Sequence, residues 1–510
     1  MAGSPRLSKS RFTTGLQCHR QLWWRVHEPD APELVPDAHQ QALFDQGTRV
    51  GELARSYVPG GYFVDLPHDQ IAGKVEATRA ALDAGANTIY EASFFAERVF
   101  AAVDILQRLD SGFVLIEVKS STQVKPEHIP DAAVQAYVLE QAGLPVRRME
   151  LMHLDRGCAF PDLSDLFARD DVTRDVRTYL PAVPAQVAEQ LRVLAGPLPD
   201  VAIGAHCNSP YDCPFRTRCW AHLPSHHVTT LYYAGKKAWD LQARGITTVA
   251  DVPLALCPND AARRQCRAVQ EGAMIVEPTL GPALDELRGP LAFLDFETVA
   301  PAVPVWEGCR PFDAIPVQFS CHRQDGHGGF AHDEWLADGR GDPRAILAER
   351  LIESCSGART VLAYNASFER SCLQRMASAL NGDLALGLGD IESRLEDMLP
   401  LVRDHVYHPD FRGSFSLKRV LPVLVPELSY ENLDVAEGGA ASAELERMLL
   451  RGEPMEVSEK QRMRSSLLEY CKLDTWATVR LLEHLRELAD GGPEPREQRP
   501  GGRPRKRGER

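Results

Sequence analysis

A chain of 510 residues, 44% hydrophobic and 25% charged, is long enough for two or three globular domains with separate cores. Its formal net charge of −14 excludes a generally basic nucleic-acid coat, but it is compatible with acidic metal sites beside a local basic groove. The sequence has no apolar run long enough to cross a bilayer and Met1 to Arg11 lacks the apolar core of a leader; no membrane partner and a cytoplasmic location are therefore expected, where clustered cysteines point to metal rather than disulfides.

In chain order, Ser8 is placed to cap an opening helix that runs through Trp23-Trp24, and residues 41–57 read as a second helix carrying Glu52. Residues 99–106 and 113–119 are β-branched and apolar, and Asp110-Ser111-Gly112 between them is turn chemistry, which predicts a hairpin. Residues 131–142 have helical spacing and 148–155 read as a further strand, an order that suits an α/β domain with a mixed sheet. Residues 225–290 break into short helical pieces, including 236–245, and read as a connecting module. A second α/β domain opens on the apolar strand 291–296 and closes with a long helix over 458–488, where Ser458 and Gln461 have capping-box spacing. Beyond it come Gly, Pro and Arg, ending in the basic run Arg503-Pro504-Arg505-Lys506-Arg507, a tail that composition predicts to be disordered and able to touch phosphates.

The expected fold class is thus α/β: two α/β domains, over 1–224 and 288–488, joined by a small helical module over 225–287 and followed by a tail over 489–510.

Chemistry concentrates in two carboxylate sets. In the first, alternation along the strand points Glu117 and Lys119 to one face while Val114, Ile116 and Val118 point to the core, and Asp104 on the preceding strand can join them. Two facing carboxylates repel unless a cation lies between them, and Mg²⁺ or Mn²⁺ favours such oxygen ligands; Lys119 would orient or help deprotonate the attacking water. The plainer reading is an exposed strand face with an ordinary Glu and Lys pair.

Cys207, Cys213 and Cys219 fall at six-residue steps, and Cys18 stands near the start, before Trp23-Trp24. Four thiolates can hold an iron–sulfur cluster or zinc, clasping the first helix of the domain to its last segment; the alternative is four buried free cysteines. With these residues the first 8–222 positions resemble the RecB-like branch of the PD-(D/E)xK (restriction-endonuclease-like) nucleases that carries a 4Fe–4S cluster. The resemblance implies Asp104, Glu117 and Lys119 as motif residues, with Gln135 and Tyr137 on the helix that follows. The final cysteine spacing departs from the close pair usual there, which keeps zinc as the alternative. Glu52 reads either as one more ligand or as an ordinary surface glutamate.

In the second set, Asp295 and Glu297 lie two apart on an apolar strand, and Tyr470 and Asp474 lie four apart on the last helix, so each pair shares a face. Between them comes Tyr364-Asn365-Ala366-Ser367-Phe368-Glu369. Residues 288–488 thereby resemble the DEDD exonucleases, whose RNase H-like fold gathers four acidic side chains around two divalent ions. The resemblance implies metal ligands Asp295, Glu297, Glu369 and Asp474, with Tyr470 orienting the water. Glu469 stands where the histidine subclass would have His, and Glu369 replaces the usual Asp with a longer arm, leaving Asp397 as an alternative for that role. The segment Gly413-Ser414-Phe415-Ser416-Leu417-Lys418 reads either as a phosphate-holding loop or as a helix cap. The whole arrangement also resembles an uncharacterised bacterial family with the same fused order.

The leading expectation is a metal-dependent nuclease with two modules, acting on nucleic acid, DNA before RNA. A nucleic-acid-binding or scaffold protein with one or both sites inactive is the second reading, favoured by Glu369, and an RNA-processing exonuclease is the third.

Overall fold

The computed structural model describes residues 6–429, 438–451 and 455–491; the basic run Arg503–Arg507 lies outside them. The first half is built on one mixed sheet. Its strands are β1 (Leu7–Ser8), β2 (Tyr62–Phe63), β3 (Thr88–Ala96), β4 (Val99–Leu109), β5 (Gly112–Lys119), β6 (Val146–Leu154) and β7 (Phe167–Asp171), in the spatial order β2-β3-β4-β5-β6-β7 with β1 alongside β4. The predicted hairpin is β4–β5, antiparallel with Ile105 opposite Ile116. Its turn closes on Gly112, at φ 151, where a Cβ would stand 2.4 Å from the Pro145 carbonyl oxygen; only glycine fits so close a backbone approach. β6 then returns parallel to β5 through the helix His128–Gln141.

Alternation sends Val114 and Ile116 into a core with Ala54 and Val58, at the end of the helix Ala38–Tyr57, and Phe113 and Leu115 into a larger core under the helix His128–Gln141. Both faces of β5 are therefore covered, and the face carrying Glu117 is not a solvent face: Glu117 is 2% exposed. The opening helix also differs from expectation. Ser8 does cap it, accepting from the Arg11 N–H at 3.2 Å, but it ends at Gln17, and a new helix, His19–His27, starts beyond Cys18. Cys18 itself is extended, with φ −160 and ψ 120.

The connecting segment carries its own small core around Val228, Leu241, Val249 and Cys266. From Ala261 onward it also packs into the core of the second half, and its β8 (Ile275–Val276) supplies one edge of a two-stranded sheet.

The second half holds β9 (Leu291–Val299), β10 (Ile315–Gln324), β11 (Phe330–Leu336), β12 (Thr360–Ala363) and β13 (Leu395–Asp397), in the order β11-β10-β9-β12-β13. β9 is antiparallel to β10 and parallel to β12, and β14 (Val406–Tyr407) pairs with β8. Alternation along β9 is clean: Leu291, Phe293 and Val299 pack with Leu481 and Leu485 of the final helix, while Ala292, Leu294 and Phe296 pack under Leu347 and Leu373. Asp295 and Glu297 share the side that meets the final helix. That helix runs Val457–Ala489 and its N-cap is Glu456, with no side-chain cap bond; Ser458 lies inside the first turn, so the capping box is not formed there. Ion pairs Arg49–Glu446 at 3.1 Å and Arg451–Asp45 at 3.0 Å, and backbone bonds between Phe160 and the Gly308–Cys309 turn, tie the halves together. Both are mixed α/β layers, and no described helix is long and apolar enough to cross a membrane.

Candidate metal centres

β9 and the final helix bring one oxygen each of Asp295, Glu297 and Asp474 within 4.8 Å of one another, the one His, Cys, Asp or Glu group this tight among the described residues. Burial and the neighbouring carboxylates make ionisation costly. Burial, with Asp474, Glu297 and Glu369 around it, holds Asp295 well above the usual carboxylate range. Glu297 is pushed up to about 8 by burial, Asp474 and Glu369, against the relief of Lys418. Glu369 enters from the first turn of the helix Ser367–Ala379. It is 4% exposed, its Oε2 has no hydrogen-bond partner, and burial with the nearby Asp397 lifts it to about 7. An orphaned buried carboxylate oxygen beside three crowded carboxylates is the donor set that a hard divalent cation satisfies. Asp397 is otherwise engaged: its Oδ1 accepts the N–H groups of Asn365 and Leu399, both at 2.9 Å. Through this oxygen it clasps two backbone segments.

Tyr470 is 3% exposed. Its hydroxyl bonds Asp474, and burial with the surrounding carboxylates pushes its pKa up, so it stays a neutral donor. Two further groups escaped the sequence reading as site members. Lys418 donates to the Tyr470 oxygen at 3.0 Å, and the Cys471 thiol lies 3.4 Å from Asp295 Oδ2 as a donor. In the sequence Lys418 reads only as part of a phosphate-holding or capping segment, signalled by the glycine-serine run before it. Cys471 left no signal beyond adjacency to Tyr470.

The first set is arranged differently. Asp104 Oδ2 accepts the Val118 N–H at 2.7 Å, and burial with Glu117 opposite raises Asp104 to about 7. Glu117 is engaged at both oxygens: Oε1 accepts from Lys9 at 2.6 Å and from Lys119 at 2.8 Å, and Oε2 from Gln135 at 2.8 Å. Burial opposes ionisation of Glu117, yet the two lysines together hold it well below the usual range. Lys119 also pairs with Asp131. Lys9 and Asp131 are thus members of this site that the sequence reading did not single out. Tyr137 packs against the first core, and Glu52 is exposed, an ordinary surface glutamate.

Cys18, Cys207, Cys213 and Cys219 line one small, largely enclosed cavity with Gln21, Trp24 and Arg216. The break in the opening helix is what turns Cys18 toward the other three. Burial pushes the Cys213 thiol up to about 11 and raises Cys18, while the Arg20 and Gln21 N–H groups favour the Cys18 thiolate. No three of these sulfurs lie mutually within the 4.8 Å of the carboxylate group, whereas Zn–S bonds of roughly 2.3 Å in a tetrahedron need sulfurs about 3.8 Å apart.

A family model described as "Domain of unknown function (DUF2779)" matches residues 292–416. The match opens on β9, takes in Asp295, Glu297, Glu369 and Asp397, and ends two residues before Lys418. Among curated proteins, none matches the chain.

Proposed function

We propose that the chain is a metal-dependent nuclease whose hydrolytic centre lies in its second half, of the RNase H-like DEDD kind, working as a 3′→5′ exonuclease. The observation that carries this reading is the convergence of Asp295, Glu297 and Asp474 within 4.8 Å. Mg²⁺ or Mn²⁺ held by these residues and Glu369 would supply Lewis-acid neutralisation of the phosphodiester. Tyr470, donating to Asp474 and accepting from Lys418, is fixed in the orientation needed to position the attacking water. Lys418 adds a positive charge beside the phosphate.

For the first half we propose a RecB-like module in which Asp104 and Glu117 are the ligands, Lys119 acts on the water, and the four cysteines that line one cavity hold an iron–sulfur cluster, with zinc as the alternative. A second reading, in which this module binds nucleic acid without cutting it, is favoured by the engagement of Glu117 with Lys9, Lys119 and Gln135. The twelve free cysteines fit a reducing, cytoplasmic setting.

The test is oxygen-free purification, a visible spectrum with iron analysis, and digestion of labelled single- and double-stranded DNA and RNA with Mn²⁺. Asp295→Ala abolishes the 3′→5′ trimming on this proposal. A further fall in cleavage with Asp104→Ala assigns cutting to the first module as well; unchanged cleavage with Asp104→Ala assigns the first module to binding. An iron-free, colourless protein contradicts the cluster.

A further inference from the structure

A cleft of about 970 Å³ opens outward from Asp295 and Asp474 between residues 229–235 of the connecting segment and residues 412–418. One wall is aromatic. Tyr233 is 82% exposed, and its φ of 48 puts a bulky L-residue in the left-handed region, a conformation that costs energy and concentrates at functional positions. Its ring lies edge-on to Tyr232 at 4.6 Å, and Tyr232 in turn to Phe415 at 4.8 Å, so an aromatic ladder leads from solvent to the core of the second half.

The mouth is basic. Arg216 and Arg412 are exposed on its rim, and the Arg216 guanidinium lies 4.5 Å over the ring of Trp220. The wall is also held firmly. Gly413 packs directly on the Thr230 carbonyl, and Gln265 bridges Thr230 and Tyr232 with bonds of 2.9 and 2.8 Å. A rigid surface that offers exposed π-faces and guanidinium groups above an acidic floor has the chemistry of a strand guide: unpaired bases stack on the rings, phosphates meet the arginines, and the end reaches the carboxylates. Paired bases offer no free face to Tyr233.

We infer that this cleft binds a single-stranded polynucleotide end, with Tyr233 as its stacking platform and Arg216 and Arg412 as its phosphate contacts, and that the connecting segment is the wall of the binding groove rather than a spacer. The inference rests on the hydrolytic reading of Asp295 and Asp474 for its direction, since the strand end points to them.

The test is fluorescence anisotropy of the full chain with a labelled oligodeoxythymidine, with oligouridine and with a blunt duplex, Ca²⁺ replacing Mn²⁺, alongside cleavage in Mn²⁺. Tyr233→Gly relieves the backbone strain, so the fold is retained; it is expected to weaken single-strand binding about five- to 100-fold, and Arg412→Ala to weaken it and flatten its salt dependence. Asp295→Asn is expected to bind and to lose 3′→5′ trimming. Wild-type affinity in both Tyr233→Gly and Arg412→Ala, or equal affinity for the blunt duplex, would overturn the groove. Tight single-strand binding lost in Tyr233→Gly, with no cleavage by the wild type, would instead support the groove and overturn the hydrolytic reading.

Discussion

Lys418 meets Tyr470 twice over, its Nζ donating to the phenol oxygen at 3.0 Å and lying 5.0 Å from the ring centroid. Tyr470 passes the polarity on to Asp474, so a cation, a neutral phenol and a carboxylate form one oriented chain at the edge of the carboxylate group. Tyr470→Phe keeps the buried ring and removes the hydroxyl. The expected outcome is a rate about 10- to 100-fold lower with divalent-cation affinity little changed, the pattern of a lost orienting bond; single-turnover cleavage and a Mn²⁺ titration check it.

Glu369 Oε2 is buried and has no hydrogen-bond partner. Replacing it with glutamine removes a buried unpaired charge. Without added cation, Glu369→Gln should melt about 2–4 °C higher than wild type, on the scale of a change near 1 kcal/mol in a domain of this size. Its cleavage rate should fall by about two orders of magnitude. Glu369→Asp, which keeps the charge on a shorter arm, should retain more of the rate than Glu369→Gln. Melting curves and initial rates for the three proteins decide it.

The raised carboxyls set a pH dependence of known sign. Glu297 sits at about 8 and Glu369 at about 7, against roughly 4.3 in an unfolded chain. Between those values the folded chain binds more protons than the unfolded one, so these two groups make stability fall as pH rises through that window, and their contribution is fully present only below it. Divalent cations compete with the same protons and should bind more tightly as pH rises. Thermal melts without added cation, taken from about pH 5 to about pH 8.5, should show a downward slope that Glu297→Gln reduces. An unaltered slope would assign the pH dependence to other groups.

The sites were legible where chemistry follows local spacing. A period of two along β9 puts Asp295 and Glu297 on one side, and a separation of four puts Tyr470 and Asp474 on one side of the final helix. The hairpin β4–β5 was legible from Asp110-Ser111-Gly112. What was not legible depends on distant partners. Residues 9–24 read as one helix, and nothing local shows that Cys18 interrupts it to face cysteines some 190 positions later. That the face carrying Glu117 is covered is not legible locally, because Lys9, which reaches it, arrives from more than 100 residues away. Ser458 and Gln461 satisfy a capping pattern, yet the helix takes its N-cap two residues earlier, at Glu456.

Gly413 is the point where the connecting segment and the second half cannot be separated. It has φ 78, and a Cβ there would lie 1.6 Å from the Thr230 carbonyl oxygen. Gly413→Ala therefore incurs both backbone strain, about 1–3 kcal/mol, and a clash that only backbone movement relieves. The expected result is a melting temperature lower by several degrees and weaker oligonucleotide binding, while Gly389→Ala, at a position with open space around it, should leave both nearly unchanged.

The central claim, that Asp295, Glu297 and Asp474 form a hydrolytic metal centre, is tested most directly by one measurement: time-resolved digestion of a 5′-labelled single-stranded oligonucleotide in Mn²⁺ by the wild type and by Asp295→Ala. The account predicts a ladder that shortens from the 3′ end with the wild type and no such ladder with the variant. Equal digestion by the two proteins, or no digestion by the wild type, would contradict it.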